Sequence, residues 1–385
     1  MKLQKIVNRL QKLHPKEIDL SLNRIKKLCK TLGNPQDKLK AISVVGTNGK
    51  YSTIQALFAI LREANIKCNI YTSPHIKRIN ERFVFNNEEL NDDDLGILFE
   101  EVEEANNNEP ITFFEILTAA YFYNASKYPE NINLIETGLF HRFDATNILK
   151  DNLASIVTSI GLDHLDWLPE NEQTTKKIIF EKTSTLLNSN IIIAKQSSSE
   201  IVNEIKSSIL KNSSKKYFFN EDYNYSSNEN GFIFYEDKNG GIKLPTPNVK
   251  GQFQLENIST AIATLRSINH LKVSEKHIKD GITKIKSIAR LQEIDSGNLK
   301  ELVKNNKLLV DGSHNPLGAK VLNEYLESLN CNKHIILGMM SNKDHNDYMS
   351  YFKNISSLTT IDIPNQPNSI KGKVLKSKLN SFENV

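Results

Sequence analysis

The sequence predicts an α/β fold: a large N-terminal domain around a central, mostly parallel sheet, followed by a smaller, Rossmann-like α/β domain. Three observations predict it. Short apolar, partly β-branched runs alternate with stretches of helical spacing, the pattern of a doubly wound sheet. The first apolar run ends in Gly-Thr-Asn-Gly-Lys and opens directly into a helical stretch. A second alternation of the same kind begins near Leu308. A chain of 385 residues is also too long for one typical core. The boundary is expected between Lys286 and Asp295, giving domains 1–288 and 289–385.

In chain order, the start "MKLQKIVNRLQKLHPKEIDL" has the Leu/Ile spacing of an amphipathic helix, with an apolar stretch too short for a signal peptide. "KAISVV" reads as a buried strand, "TIQALFAILREANI" as a helix and "KCNIYT" as a second strand. "NDDDLGILFEEVEEA" opens with an N-cap residue and an acidic first turn, then continues as a helix. "TFFEILTAAYFYNASKY" is apolar nearly all round, the mark of a buried helix. "INLIETG" and "LASIVTSIG" are strands ending in polar residues. "NEQTTKKIIFEKTSTLL", "NIIIA" and "SSSEIVNEIKSSILK" read as helix, strand and helix. From Lys216 the texture changes to aromatic and apolar runs broken by Asn-Gly and Gly-Gly, which predicts a β-hairpin region at the domain edge. Two helices follow, "LENISTAIATLRSI" and "SEKHIKDGITKI". The second domain reads as strand "KLLVDG", helix "LGAKVLNEYLESL", strand "HIILGM", helix "HNDYMSYF" and strand "LTTIDI".

Composition narrows the function classes. Apolar residues at 39% and charged residues at 24% suit a globular protein. A net charge of +4, with both signs interspersed, makes no case for a nucleic-acid partner but leaves anionic small ligands open. Cys29, Cys68 and Cys331 are scattered and odd in number, so neither a disulfide framework nor a zinc spacing emerges, and a reducing cytoplasm fits. No run approaches the length needed to span a membrane.

In open α/β sheets ligands gather at the carboxyl ends of strands, so the strand ends carry the candidates. Gly46, Thr47, Asn48, Gly49 and Lys50 lie between a strand and a helix. Glycines let backbone N–H groups approach phosphate oxygens, a helix N-terminus adds a positive dipole, and Lys50 supplies a mobile charge. The spacing is not that of a standard Walker A loop, because Val44 stands six residues before Lys50 and the first hydroxyl after it is Ser52. The alternative is an ordinary turn with an exposed lysine. "YTSPHIKRINERF" clusters Ser73, His75, Arg78 and Arg82, which could equally be a solvated basic face. Glu136 follows four apolar positions, poorly placed for solvation and well placed to hold a divalent cation. Arg142, Asp144 and Asn147 follow, and Asp144 to Asn147 could equally be a helix cap. Asp163, His164 and Asp166 stand beside the single tryptophan after a third strand, on the same expected edge as Lys50 and Glu136. Asp311, His314 and Asn315 end the first strand of the second domain.

Taken together, "GTNGK", "TSPH" with "INERF", "TFFEILTAA", "ETGL" with "DATN", "TSIGLDHLDWL", "EKTSTL", "GQFQLEN", "ARLQ", "DGSHNP" and "GMMSNKD" resemble, in order and spacing, the folylpolyglutamate synthase/dihydrofolate synthase family of the Mur-ligase superfamily. The resemblance runs from about Lys40 to Asp344. It implies a Mur-ligase-type P-loop ATPase domain and a C-terminal glutamate-ligase domain. It also accounts for the odd loop, since the Mur-type P-loop places its hydroxyl two residues after the lysine, where Ser52 stands.

The chemistry implied is ATP-dependent amide ligation. A substrate carboxylate is phosphorylated, and the glutamate amine attacks the acyl phosphate, releasing ADP and phosphate. L-Glutamate would be joined to dihydropteroate, to folylpolyglutamate, or to both, and the "DATN" segment resembles the bifunctional bacterial type. The resemblance implies ATP contacts at Gly46, Thr47, Asn48, Gly49, Lys50, Ser52, Asn257, Arg290, Asp311 and His314. It implies Mg²⁺ at Ser73, Glu136, His164 and, if carbamylated, Lys182, with K⁺ as a further cation. Lys50, His164 and Lys182 take the catalytic roles, and Arg82, Phe114 and Asp144 contact the pterin or folate. A cytoplasmic monomer without nucleic-acid or membrane partners is expected. The alternatives are another Mur-type amino-acid ligase and a decayed nucleotide-binding module. Four departures from the family pattern stand out: Tyr51, Phe140 and His141 where glycines are usual, and Ala289 before Arg290. The sequence ending at Val385 gives an expected C-terminal domain shorter than the family's.

Overall fold

The computed structural model describes residues 2–14, 16, 19–227 and 232–379. They form two compact units. One comprises Met1–Ile160, Thr175–Asn248 and Glu256–Lys286, the other Gly161–Thr174, Val249–Leu255 and Ser287–Val385.

The first unit begins with α1 (Lys2–Leu10) and α2 (Asn23–Thr31), and α1 buries Leu3, Ile6, Val7 and Leu10 along one face. Then come β1 (Lys40–Val45), α3 (Lys50–Glu63), β2 (Cys68–Tyr71), β3 (Phe83–Phe85) and β4 (Glu88–Glu89). Next are α4 (Asp92–Asn106), capped by Asn91, and α5 (Phe113–Ala125), which is buried on nearly every side as its composition predicts. β5 (Ile132–Glu136), β6 (Ala154–Val157), α6 (Thr175–Thr183), β7 (Asn190–Ile193), α7 (Ser199–Ser208) and β8 (Lys216–Phe218) follow. The unit closes with β9 (Tyr223–Ser227), β10 (Ile233–Asp237), β11 (Gly240–Leu244), α8 (Gln252–Ser267), whose first turn up to Leu255 counts with the second unit, and α9 (Glu275–Ile282).

The central sheet has the order β4-β3-β2-β5-β1-β6-β7-β8, parallel from β2 to β8, with β3 and β4 as an antiparallel edge. The strand after β1 lies beyond β5 on one side, and β6 flanks β1 on the other. The order therefore reverses at β1, and the crevice of a switch point opens at its carboxyl end. Lys216–Phe218 is not part of a hairpin. It follows the crossover helix α7 and pairs in parallel with β7, extending the central sheet. β9, β10 and β11 form a separate antiparallel sheet, whose described turn is Lys238–Asn239, with Gly240 already paired in β11. The Asn230-Gly231 pair lies outside the described residues.

The second unit holds β12 (Gln292–Ile294), α10 (Asn298–Val303), β13 (Leu308–Val310), α11 (Pro316–Glu327), β14 (His334–Leu337), α12 (His345–Ser350), β15 (Ser357–Thr360) and α13 (Gly372–Lys378). β14 and β15 pair in parallel, whereas β12 pairs antiparallel with β13. Its core gathers Ala319, Leu337, Met339, Tyr348, Met349, Leu358 and Leu375. Among the described residues no helix is long and apolar enough to cross a membrane.

Candidate active site

The loop after β1 is shaped by two glycines. Gly46 has φ of 151°, and a Cβ there would lie 2.0 Å from Thr158 Oγ1. Gly49, at φ 92°, is the N-cap of α3, and a Cβ there would lie 2.5 Å from Asn257 Oδ1. Between them the Thr47 and Asn48 amides donate to the Ser159 carbonyl at 2.9 and 3.1 Å, which pins the loop to the end of β6. Lys50 folds back so that Nζ donates to the Gly46 and Thr47 carbonyls at 3.3 and 3.2 Å. The N-cap of α3 is Gly49, which has no side chain, and the first turn carries no acid, so the helix dipole there favours an anion. Ser52 is buried in that first turn. Tyr51 is helical too, so the backbone freedom of the expected glycine is not used there.

Strand order then delivers a carboxylate. β2, β5 and β1 are neighbours, and their ends bring together Ser73, Glu136 and Lys50. Glu136 is 5% exposed. Its Oε2 accepts the Ser73 amide at 3.2 Å, and its Oε1 lies 3.9 Å from Lys50 Nζ. Among the described residues no three His, Cys, Asp or Glu side chains cluster as metal ligands. Mg²⁺ does not require such a cage: it is commonly held by one or two protein oxygens plus waters and substrate phosphates. The Glu136 carboxylate and the neighbouring Ser73 suit that ion.

Lys182 is 1% exposed and is not a helix-surface lysine. Nζ donates to the Gly46 carbonyl at 3.0 Å and the Leu139 carbonyl at 2.9 Å, and it lies 5.4 Å from the centre of the Phe140 ring. α6 thus fastens both the loop after β1 and the segment after β5. Phe140 and His141 are both buried. The His141 Nδ1 pairs with Thr185 Oγ1 at 2.9 Å. Burial, with the Lys182 charge adding, pushes the His141 imidazole down to about 4. Arg142 forks onto the Glu181 carboxylate at 2.8 and 2.7 Å.

Asp144 is not a helix cap, because only turns follow it. Its carboxylate accepts the Gly138 amide at 2.8 Å and the Thr146 amide and hydroxyl at 3.0 and 2.6 Å. Burial raises the Asp144 carboxyl to about 6 against those hydrogen bonds. A Cβ on Gly138 would meet Asp144 Oδ2 at 2.7 Å and the Phe114 ring at 3.0 Å, so Phe114, Gly138 and Asp144 form one wall. Arg82 Nε donates to His75 Nδ1 at 2.9 Å. Burial and the Arg82 charge lower the His75 imidazole. Glu81, which the sequence reading did not single out, holds this loop by accepting the Ile76, Lys77 and Arg78 amides at 2.7, 2.9 and 2.9 Å.

In the second unit Asp163 is the hub. It accepts from Lys343 Nζ at 2.7 Å and Asn315 Nδ2 at 3.0 Å, with His314 Nε2 at 3.6 Å and His164 Nε2 at 3.8 Å. Burial alone would raise its carboxyl; the His314 hydrogen bond and the His164 and Lys343 charges hold it far below the ordinary range. Asp311 accepts the Leu291 and Ser313 amides, each at 2.8 Å. Arg290 Nη1 donates to the Ala289 carbonyl at 2.8 Å, packed against Gly312. His164, Arg290, Asp311 and His314 therefore gather in this unit. Gly46–Lys50, Ser52, Ser73, Glu136, Lys182 and Asn257 gather in the first. His164 stands seven residues past the end of β6, in a segment that packs with the second unit.

The chain is 30% identical over 353 residues to the dihydrofolate synthase/folylpolyglutamate synthase of Escherichia coli K12, covering 90% of this chain and 78% of that protein. The chain belongs to the dihydrofolate synthase/folylpolyglutamate synthase family. The Bacillus subtilis member is 28% identical over 356 residues, covering 88% of this chain and 79% of that protein. Among solved structures, E. coli FolC in complex with DHPP and ADP superposes with a TM-score of 0.87 at 28% identity, over 98% of this chain and 87% of that one. The bifunctional family member from Yersinia pestis, complexed with AMPPNP and a Mn ion, superposes at 0.86 and 26% identity, over 98% and 87% of the two chains. No family model matches the chain. The α/β architecture expected from the sequence is the architecture of this family, and ATP-dependent ligation is its activity.

Proposed function

We propose that this chain joins L-glutamate to two acceptors, the carboxyl group of dihydropteroate and the terminal carboxyl group of folylpolyglutamate, at the expense of ATP. One observation carries the reading: Lys50, Glu136 and Ser73 meet at three adjacent strand ends beside the N-terminus of α3. That arrangement suits a triphosphate and its cation. The double name of the E. coli and B. subtilis relatives supports both acceptors.

The first half-reaction transfers the γ-phosphoryl group to the acceptor carboxylate, giving ADP and an acyl phosphate. The second joins the glutamate nitrogen to the acyl carbon and expels phosphate. Lys50 lies where it reaches phosphate oxygens once it leaves the Gly46 and Thr47 carbonyls. The α3 N-terminus would supply backbone donors, and Asn257, packed against Gly49, would contact the nucleotide. Glu136 and Ser73 would hold Mg²⁺, which supplies charge neutralisation on the phosphates when bound. Arg82, Phe114 and Asp144 orient the acceptor, with Phe114 offering an aromatic face. Arg290, Asp311 and His314 would serve as nucleotide and phosphate contacts, and His164 as a further group for the cation. Lys182 braces the loop after β1 as an ammonium; a carbamate on it keeps a single N–H and would require one of the two carbonyl hydrogen bonds to be given up. The same reading takes the protein to be a cytoplasmic monomer, consistent with the free, buried thiols of Cys29 and Cys68.

The test is direct. Purified protein receives ATP, Mg²⁺, labelled glutamate and either dihydropteroate or tetrahydrofolate, and ADP release and product mass are followed. Glutamate-dependent turnover with both acceptors is expected. Turnover with one removes the second activity, and silence with both overturns the ligase reading.

A further inference from the structure

Outside the strand-end cluster, one buried ionic network has no part in the chemistry described so far. Arg24, in the first turn of α2, donates through Nε to Glu115 Oε2 at 2.9 Å. Its Nη1 reaches Asp19 Oδ2 at 2.8 Å and its Nη2 the Asp19 carbonyl at 2.6 Å. The Glu115 side chain is only 5% exposed, and its Oε1 is buried without a hydrogen-bond partner. All of its partners therefore crowd Oε2, which also accepts the Thr112 amide at 2.9 Å and the Thr112 hydroxyl at 2.7 Å. The Thr112 amide contact and the return bond from the Glu115 amide to Thr112 Oγ1 at 3.3 Å form the capping box that starts α5. A carboxylate this deeply buried needs a cation to stay charged in place, and Arg24 is the one paired with it.

The turn so capped carries Phe114 between Thr112 and Glu115. The Phe114 carbonyl accepts Thr118 Oγ1 at 2.8 Å, and Thr118 pairs with the Tyr71 hydroxyl at 3.0 Å. The Phe114 ring packs near Tyr71, 6.0 Å between centroids, and against Gly138, whose amide Asp144 holds. We infer that Arg24 is a positioning residue for the acceptor pocket: through Glu115 and Thr112 it fixes the first turn of α5, and with it Phe114 against Gly138. The inference rests on the proposed reading in which Phe114 and Asp144 contact the pterin. An N-terminal helix thereby tunes acceptor affinity without touching the nucleotide loop.

The test compares wild type, Arg24→Lys and Arg24→Met in steady-state assays, varying dihydropteroate, ATP and glutamate in turn, with the folded fraction fixed by thermal unfolding. Arg24→Met is expected to raise the KM for dihydropteroate roughly tenfold while the KM for ATP stays within about twofold. Arg24→Lys, which keeps the charge but loses the fork, falls between the two. Equal rises for all three substrates, or an unchanged acceptor KM in folded Arg24→Met, overturn the inference. If Arg24→Met does not fold, the same comparison is read on Arg24→Lys, where an unchanged acceptor KM is equally fatal. A wild type that turns over neither acceptor overturns the ligase reading and this inference together. A wild type that turns over normally, beside an Arg24 variant of unchanged acceptor KM, overturns this inference alone.

Discussion

The Lys182 ammonium donates to the Gly46 carbonyl at 3.0 Å, so the helix that carries the lysine holds the phosphate loop in shape. The same nitrogen serves the Leu139 carbonyl, and replacing it with an apolar group strands two buried acceptors at once. Hydrogen bonds to charged groups contribute about 1.5–3 kcal/mol each, so losing both in Lys182→Met is expected to cost about 3–6 kcal/mol. Because the loop itself loses its brace, kcat/KM for ATP should fall at least tenfold, roughly 1.4 kcal/mol or more. Denaturant unfolding and initial rates measure both. A variant with wild-type stability and an unchanged KM for ATP would show that the brace is dispensable.

Three glycines separate backbone strain from loss of space. Gly33, at φ 82°, has open space where a Cβ would go. Gly33→Ala should therefore cost only the left-handed penalty of about 1–2 kcal/mol and leave nucleotide affinity alone. In Gly49→Ala the new methyl meets the far end of the Asn257 side chain, so the protein should fold while ADP binding weakens. Gly46→Ala meets Thr158 at both side chain and backbone and should be the least stable of the three. Calorimetric titration with ADP beside thermal unfolding orders them. An ADP affinity unchanged in Gly49→Ala would remove Asn257 from the nucleotide site.

How much of this was legible beforehand follows the range of the interactions. The β1–loop–α3 unit is contiguous in sequence, and its apolar run, glycines and lysine announce it. Strand ends carrying Ser73 and Glu136 were legible as candidates, because polar residues closing apolar runs have few other reasons to be there. Their meeting depends on the order β2-β5-β1, which joins residues 63 apart through a hydrogen bond that no local pattern encodes. Lys216–Phe218 was misread for a related reason: a three-residue edge strand beside Asn- and Gly-rich sequence looks like a hairpin until α7 returns it beside β7. Phe140 and His141 stood out in the sequence only as bulky residues where the family usually has glycines. Only the fold shows both side chains turned inward, His141 onto Thr185 and Phe140 beneath the Lys182 ammonium. Glu81 and Arg24 carried no signal, since one surface-type charged residue in a helical or loop segment resembles any other.

His141 and Asp144 set opposing pH dependences. The folded-state imidazole of His141 is depressed to about 4 from 6.5, so its contribution to stability is present above about pH 6.5 and lost as pH falls towards 4. Over that interval the loss amounts to about 3 kcal/mol. The carboxyl of Asp144 is raised to about 6 from 3.8, so the folded state binds its proton first and this contribution declines as pH rises through 4 to 6. In the wild type the two offset each other across that window. His141→Gln should therefore lose the acid destabilisation, and Asp144→Asn should deepen it. Urea unfolding from pH 7 to 4.5 on the three proteins gives the difference curves. A flat difference between wild type and His141→Gln would contradict the buried, neutral imidazole.

Asp163 gathers three side chains of positive or titratable character and one amide within the second unit. Its two oxygens take Lys343, Asn315 and His314, while Asn315 in turn caps α11 through the Gly318 amide at 2.8 Å. Removing the carboxylate leaves Lys343, itself mostly buried, without its counter-charge. It also releases the amide that aims Asn315. Breaking one partner of a buried pair costs about 3–5 kcal/mol, so Asp163→Ala should weaken the second unit by an amount of that order. The loss should appear first at the start of α11. Hydrogen exchange at Gly318 and Ala319 is expected to accelerate, ahead of the core amides of Leu337 and Leu358. Since His314 is proposed to face the nucleotide, the KM for ATP should rise in the same variant while the acceptor KM holds. Exchange at Gly318 matching the wild type would mean that the α11 cap stands without Asp163, and the hub would then be an electrostatic coincidence rather than an organising contact.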